Sequence, residues 1–209
     1  MTAAMLFWFQ VFMAWTYFVP QVISILHGKT GGLTLAMWAI FMGYLFISLS
    51  LAVMAWKEKK EKIRLYTVII FGQWCIFISV LFLMCVKSVH WSSGDTLVCI
   101  LVVILSVITI ELKGLKDPIS RGWMAVWCKG IPQLWMAYTM WTAQSAEWLP
   151  AISLLATNLT AIPRLVQVAI QGISGGWDRP TKSLMLGETS NVATWLVVTL
   201  VWILLRVFG

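Results

Sequence analysis

Long apolar stretches separated by short polar loops dominate this sequence. Seven of them carry few or no charged residues, and most approach the roughly 20 residues that an α-helix needs to cross a bilayer. They are Met5–Leu26, Gly32–Trp56, Leu65–Val86, Thr96–Leu112, Gly122–Ala143, Trp148–Val168 and Thr189–Phe208. The alternation over about ten residues that marks a transmembrane β-barrel does not occur in them. The pattern predicts an all-α membrane protein with seven transmembrane helices.

Composition excludes a water-soluble protein. Of the 209 residues, 60% are hydrophobic and only 11% are charged, whereas a soluble domain carries about 25% charged residues. So few polar side chains cannot cover a water-facing surface, and the same numbers exclude a disordered chain and a disulfide-stapled secreted module. The 14 tryptophans fit the aromatic belts of a membrane protein. Five of them lie at span ends: Trp56, Trp91, Trp123, Trp148 and Trp177.

The sequence carries no recognisable catalytic or metal-binding pattern. The cysteines lie singly inside apolar segments, where small buried hydrophobes are expected; they are Cys75, Cys85, Cys99 and Cys128. His27 and His90 lie in loops without metal-ligand spacing. Nucleophile elbows, phosphate loops and paired mid-membrane carboxylates are also missing. We therefore expect no enzyme activity, no metal and no cofactor.

Basic residues are distributed unequally between the two sets of loops. The second, fourth and sixth loops and their edges hold ten of them: Lys57, Lys59, Lys60, Lys62, Arg64, Lys113, Lys116, Arg121, Arg179 and Lys182. The other side has only Lys29, Lys87 and Arg206. By the positive-inside rule, this asymmetry puts the N-terminus in the cytoplasm and the C-terminus outside. The net charge of +7 lies in these patches, which favours membrane topology over nucleic-acid binding.

The two ends of the chain bear on its location. The first apolar run has no positively charged region before it, so we expect a retained first helix rather than a signal peptide. The chain stops just after Arg206, which leaves no cytosolic tail for a lysosomal sorting signal. The expected location is therefore the plasma (inner) membrane of a bacterium.

An internal repeat divides the chain into two similar parts. FVPQVISIL in the first span aligns with GIPQLWMAY in the fifth, which superposes Pro20–Gln21 on Pro132–Gln133. Further on, FGQWCIF faces TSNVATW, which brings Gln73 close to Asn191. Two three-helix units thus flank one extra helix, because an odd-numbered unit ends on the opposite side of the membrane from its start. The predicted domains are residues 1–90, a linker helix at 91–117, and residues 118–209.

These features resemble the PQ-loop family. The resemblance lies in the P-Q dipeptide late in the first helix of each unit, the following KTGGL and QSAEWL segments, and the 3+1+3 helix count. Asn158, then Pro163–Arg164 and Gln167, is also similar to the family's second repeat. The superfamily includes the SWEET sugar facilitators and the lysosomal amino-acid exporters related to cystinosin. The resemblance implies two parallel three-helix bundles joined by a linker helix, which move a small polar solute by alternating access.

The paired prolines are candidate hinges. Proline in a helix interior removes one backbone hydrogen bond and clashes with the carbonyl of residue i−4, which kinks the helix. Gln21 and Gln133 follow Pro20 and Pro132 and offer amides for the freed carbonyls or for a cavity. Pro163 adds a third hinge candidate. Static kinks are the alternative, but recurrence at equivalent places favours hinges.

The candidate solute site consists of polar and aromatic side chains at mid-depth. Parallel repeats place a site between the copies near the midplane. Gln73 and Asn191 should face one another there, with Trp74 as a flat surface for a ring. In the SWEETs an asparagine pair on these two helices contacts substrate, and here one member is a glutamine. Asn158 and Tyr44 are secondary candidates, and hydrogen bonding between helices is the alternative role for each.

Four ionisable residues fall toward one membrane face. Lys129 and Arg164 lie inside the fifth and sixth spans, while Glu111 and Glu188 border the fourth and seventh. They could snorkel and pair at the surface, or form a charge network that closes the pathway, with Arg164 and Glu188 as the expected pair. Every Asp and Glu lies away from mid-depth in the predicted spans, which favours facilitated diffusion over proton coupling.

The sequence thus predicts a transporter of a small polar solute such as a sugar, an amino acid or a vitamin-like molecule. The alternative is a non-transporting PQ-loop protein that acts as a membrane receptor or as an accessory subunit of a lipid-linked-sugar pathway. The expected partners are the solute and the lipid bilayer, with no nucleic acid, and the fold is compatible with a homo-oligomer. The usual SWEET arrangement has its N-terminus outside, opposite to the orientation that the basic residues predict.

Overall fold

The computed structural model describes residues 3–60, 62–114 and 117–207, and every regular element within them is helical. The helices are α1 (Ala3–Leu26), α2 (Leu35–Lys59), α3 (Lys62–Cys85), α4 (Ser93–Lys113), α5 (Pro118–Ala125), α6 (Ile131–Thr142), α7 (Ala151–Gly175) and α8 (Arg179–Val207). A π-helical turn, Val126–Gly130, joins α5 to α6. The predicted all-α class is confirmed for this part of the chain.

Most of the predicted membrane spans are present as long apolar helices. In the described residues, α1, α2, α3, α4, α7 and α8 are long and apolar enough to cross a membrane. The remaining predicted span, Gly122–Ala143, corresponds to the helical run 118–142. The π turn divides this run, so that α5 and α6 are each too short to cross a membrane alone. Lys116 and Phe208, which belonged to the predicted basic patch and last span, lie outside the described residues.

Apolar side chains cover the outside of the bundle. On α1 the exposed positions follow helical spacing: Trp8, Phe12, Trp15, Val19, Ile23 and Leu26. The buried positions of the same helix form the opposite stripe, which includes Ala14, Tyr17 and Gln21. An exposed stripe of large apolar side chains on a helix of this length fits contact with lipid tails rather than with water.

Two groups of helices make up the bundle. In the first, α3 packs against both α1 and α2; in the second, α8 packs against both α7 and the run 118–142. The groups meet where α1 packs on α7 and α2 packs on α6. The crossing of α5 and α8 is close because its residues are small: a Cβ added at Gly122 would lie 2.7 Å from the Ser183 carbonyl oxygen.

The helix ends define two faces of the molecule. Loops 27–34, 86–92 and 143–150 meet at one end, where the Thr139 hydroxyl donates to the Gly32 carbonyl at 2.9 Å. At the other end Arg179 binds the Asp117 carboxylate at 2.7 Å across two loops. We call this second end the basic face, because the described members of the predicted basic patch lie there, and we call the first end the opposite face.

The core that fills the bundle lies toward the opposite face. It is a single cluster of buried side chains, among them Met37, Trp38, Met136, Met140, Trp148 and Leu149. Trp148 was predicted to lie in an interfacial belt, but it is completely buried, edge-on to Trp38 with 5.9 Å between ring centroids. The prediction for Trp148 is wrong because the loop before α7 folds into the bundle and brings α1, α2 and α6 around the indole.

Helix α8 begins at Arg179, well before the predicted Thr189. Arg179, Lys182 and Glu188 had been placed in a loop because they are charged. Instead they continue the helix, and the loop before α8 is only 176–178. A start signal is present in the sequence: the Asp178 carboxylate accepts a hydrogen bond from the Thr181 amide at 2.8 Å, as a helix N-cap does.

Candidate functional site

A cavity of about 420 Å³ lies between the two groups of helices. Its lining extends from Arg121 and Ser183, near the basic-face ends of α5 and α8, to Phe41 of α2 and Ala156 of α7, which lie toward the opposite face. Toward the opposite face the cavity ends at the buried cluster around Trp38 and Met136. Because Arg121 and Arg164 of the lining are exposed, the cavity opens toward the basic face, and the cluster closes it toward the other.

Two amides and a hydroxyl form a network at the inner end of the cavity. The Gln133 amide nitrogen donates to the Asn191 side-chain oxygen at 3.1 Å. The Thr194 hydroxyl donates to the Gln133 side-chain oxygen. Gln133 and Asn191 both line the cavity, although Gln133 is only 1% exposed. The network holds both amides in fixed orientations beside the space that a solute would enter.

The π turn explains why Gln133 reaches α8. Pro132 lacks an N–H group, so a regular α-helix here would leave one carbonyl unpaired. The chain instead widens into Val126–Gly130, and α6 then begins with Pro132 in its first turn, where a missing N–H costs little. A π turn also rotates the residues that follow it relative to α5, and such turns are frequent at functional sites.

The equivalent glutamine of the first group has different surroundings. Gln21 is completely buried, and the polar side chain that interacts with its amide is Tyr17, one turn earlier on the same helix. Pro20 lies within the uninterrupted helix α1, without a π turn. The two groups therefore share the P-Q dipeptide, but the glutamine interacts within its own helix in the first group and with α8 in the second.

Four charged side chains line the same cavity. Arg164 donates through Nε to a Glu188 carboxylate oxygen at 2.8 Å, as predicted for this pair, and the Glu188 side chain is only 9% exposed. The Lys129 ammonium, on the π turn, lies 5.5 Å from the centroid of the Tyr44 ring. Arg121 lies closer to the basic face and is exposed.

Aromatic rings form much of the remaining wall. Trp74 lies against Tyr17, with 5.4 Å between ring centroids and 60° between ring planes. Phe41, Phe71 and Trp195 also line the cavity. Flat apolar surfaces beside a few fixed polar groups are typical of small-molecule sites.

The structure brings together half of the predicted site residues. Those that line the cavity are Tyr44, Trp74, Lys129, Gln133, Arg164, Glu188 and Asn191. Pro20, Gln21 and Pro132 lie behind the lining in the helix interiors. Pro163 is exposed and contributes to a shallow apolar groove on the outer side of α7.

Three predicted residues lie elsewhere. Gln73 is not part of the lining: its amide donates to the Val11 carbonyl at 3.4 Å, while Trp74 occupies the cavity wall. Asn158 donates to Thr199 at 3.0 Å and thereby links α7 to α8 outside the cavity. Glu111 is exposed near the end of α4.

Of the expected pair, only Asn191 lines the cavity, and the α3 residue that lines it is Trp74, next to Gln73 in the sequence. One residue corresponds to a rotation of about 100° around a helix. A shift of one position in the alignment of the two repeats therefore decides whether Gln73 or Trp74 is expected to face the cavity.

Several lining residues carry no strong sequence signal. Small hydroxyl side chains contribute to the wall: Thr67, Thr157, Thr160 and Ser183. Single hydroxyl residues are common in membrane helices, where they bond to backbone carbonyls, as Thr160 does to the Ala156 carbonyl at 2.7 Å. Tyr17 was identifiable, because it lies one helical turn before Gln21 on the buried stripe.

Searches with protein-family models, curated proteins and solved structures find no match to this chain. Within the described residues, no group of three or more His, Cys, Asp or Glu side chains is placed to hold a metal ion. The cavity and its lining therefore provide the basis for a functional interpretation.

Proposed function

We propose that this protein is a transporter that moves a small polar solute across a membrane by alternating access. One observation carries the proposal: a cavity lined by polar, charged and aromatic side chains is accessible from the basic face and closed by a packed apolar cluster at the other. A cavity that is accessible from one side only is the arrangement that such a mechanism requires of each of its end states.

The proposed architecture is two parallel three-helix units, 1–90 and 118–209, with 91–117 as the linker, in a PQ-loop-like 3+1+3 arrangement. The packing supports it, because in each group the third helix contacts the other two: α3 contacts α1 and α2, and α8 contacts α7 and the run 118–142. The position of the cavity between the groups also agrees with the midplane site expected of parallel repeats.

In the proposed cycle, the basic face closes while the opposite face opens. Pro20 and the π turn before Pro132 are the points at which α1 and the run 118–142 would bend. Arg164, Glu188 and Lys129 line the path near the basic face and would close it in the other state. By the positive-inside rule, the excess of basic residues favours a cytoplasmic position for this face, and the proposed location is a bacterial inner membrane.

Uptake into proteoliposomes tests the proposed function. Radiolabelled sugars, amino acids and vitamins are offered to vesicles that contain the purified protein and to protein-free vesicles. Uptake that depends on the protein, saturates and equilibrates without a proton gradient supports a facilitator. Specific binding without uptake would instead favour the receptor or accessory-subunit function, for which a cavity accessible from one side would also be suitable.

Asn191→Ala is expected to reduce transport of the identified solute about tenfold, because a neutral hydrogen bond in a dry site contributes about 1–1.5 kcal/mol. Asn158→Ala is the matched control. Asn158 also joins α8 through its amide but lies outside the cavity, so its loss should lower thermal stability and leave the apparent KM unchanged. Equal effects of both changes on KM would contradict a solute-binding role for Asn191.

Accessibility to a membrane-impermeant maleimide should differ between the two ends of the pathway. In a variant whose native cysteines are replaced by alanine, Thr160→Cys should react from the basic face, because Thr160 lines the cavity. Ser24→Cys should resist labelling from either side, because Ser24 is buried and bonds to the Glu147 carbonyl at the opposite face. Rapid labelling of both positions without solute would exclude a closed opposite face.

A further inference from the structure

The charges of the cavity do not balance. Three cationic side chains, Arg121, Lys129 and Arg164, line it together with one carboxylate, Glu188. Arg164 engages that carboxylate directly at 2.8 Å. Uncompensated charge in a site with low-dielectric walls is costly, and it favours a ligand of opposite sign.

Lys129 is the cation that is best placed to meet such a ligand. It is half-buried on the π turn and lies directly before Gly130, so its backbone position is fixed between α5 and α6. Its ammonium lies over the Tyr44 ring, and it interacts with the Glu188 carboxylate at longer range, while Arg164 bonds to that carboxylate directly. One carboxylate thus faces two cations, which leaves a positive charge in excess. A cation over an aromatic ring retains its capacity to bind an anion on its other side.

The rest of the lining fits the remainder of a small molecule. Trp74 and Tyr17 offer flat apolar surface on the side of α1 and α3. The Gln133 and Asn191 amides at the inner end offer hydrogen bonds. The volume of about 420 Å³ lies within the range of about 300–1,000 Å³ that is usual for pockets that bind small molecules.

We propose that the solute is a small organic anion, in which a carboxylate pairs with Lys129 and a flat ring packs against Trp74. This inference rests on the proposed function in that the same cavity serves both. It goes further because it selects, among sugars, amino acids and vitamin-like molecules, those that combine a ring with a free carboxylate. A neutral sugar offers no charge to Lys129.

Matched acid and amide probes test the inference. The purified full-length protein in nanodiscs of neutral phosphatidylcholine is titrated calorimetrically with nicotinate and nicotinamide, and with indole-3-acetate and indole-3-acetamide. Within each pair a carboxylate is replaced by a neutral carboxamide of nearly the same shape. For at least one pair we expect the acid to bind about tenfold or more tightly than its amide, since a hydrogen bond to a charged group contributes about 1.5–3 kcal/mol.

Substitutions then assign the preference to Lys129. Lys129→Gln should reduce the acid-to-amide ratio of affinities to below about threefold, and Lys129→Arg should preserve most of it. Lys182→Gln is the control, because it removes the same charge from an exposed position of α8 that does not line the cavity. It should leave the ratio unchanged.

Each result decides between the possibilities. Amides that bind as well as acids, a preference that survives in Lys129→Gln, or the absence of binding for all four probes would overturn the inference. Uptake of a neutral sugar together with such a result would leave the transporter proposal standing. Acid binding that depends on Lys129, without uptake of the same acid, would retain the anion site and reject transport.

Discussion

Asp95→Ala is expected to destabilise the protein by about 3–5 kcal/mol, because it removes a buried charged group that holds three segments together. Asp95 is only 2% exposed. One carboxylate oxygen accepts from the Thr34 hydroxyl and from the Trp135 indole N–H at 2.9 Å. The other accepts from the Ser92 amide and hydroxyl, each at 2.9 Å. The start of α4 is thereby joined to the start of α2 and to α6 at the opposite face.

Thermal unfolding in detergent, followed by circular dichroism, measures this loss. Asp117→Ala is the control: Asp117 also caps a helix, at the Ile119 amide, and pairs with Arg179 at the exposed surface. Caps and exposed pairs contribute about 1 kcal/mol or less each, so its effect should be much smaller. The loss of stability for Asp95→Asn should lie between those of the two alanine variants. An amide oxygen still accepts from Thr34 and Trp135, while the NH₂ group faces the Ser92 donors. Equal melting temperatures for Asp95→Ala and Asp117→Ala would contradict the role of Asp95 in joining α4 to α2 and α6.

The sequence was sufficient to identify the long helices because a bilayer imposes its own length on each apolar run. It misplaced the start of α8, because charged residues were taken as loop residues. In the folded protein, Glu188 is paired with Arg164 beside the cavity, and its charge is compatible with a helix there. The Asp178 cap was the local signal that could have corrected this boundary.

The site was predicted in part, and its errors have a common cause. The chemistry of a residue type can be read from the sequence, but its direction around a helix depends on packing partners far along the chain. Gln73 and Trp74 are adjacent in sequence, yet only Trp74 lines the cavity. Likewise Gln21 and Gln133 both follow a proline, but Gln21 lies beside Tyr17 of its own helix, whereas Gln133 bonds to residues of α8.

The network around Asp95 combines a local motif that is visible in the sequence with distant contacts that only the fold reveals. Ser92 and Asp95 form a capping box, in which each side chain binds the other's backbone amide, and the S-x-x-D spacing is visible in the sequence. The bonds from Thr34 and Trp135 are not visible in this way, because they come from α6 and from the loop before α2. A local motif thus predicts the helix start, while only the fold explains why its carboxylate is buried.

Gly32→Ala is expected to disrupt the opposite face. Gly32 has a φ of +78°, a conformation that a residue with a Cβ adopts only with strain. An added Cβ would lie 2.3 Å from the Ser145 carbonyl oxygen and 2.9 Å from the Met140 Cα, and neither backbone atom can move independently. Relief requires that loop 27–34 separates from α6 and loop 143–150, so we expect a loss of about 3 kcal/mol or more.

Gly28→Ala provides the matched control for this change. Gly28 has nearly the same backbone conformation, with φ of +74°, but an added Cβ would have no heavy atom within 4 Å. It should therefore cost only the strain of the left-handed conformation, about 1 kcal/mol. The measurement is thermal unfolding, combined with maleimide labelling of Ser24→Cys from the opposite face in each background. Gly32→Ala should lower the melting temperature further and make Ser24→Cys reactive, because the separated loops admit the reagent. If the two alanine variants have the same melting temperature and Ser24→Cys stays unreactive in both, then contact between loops 27–34 and 143–150 does not seal the pathway.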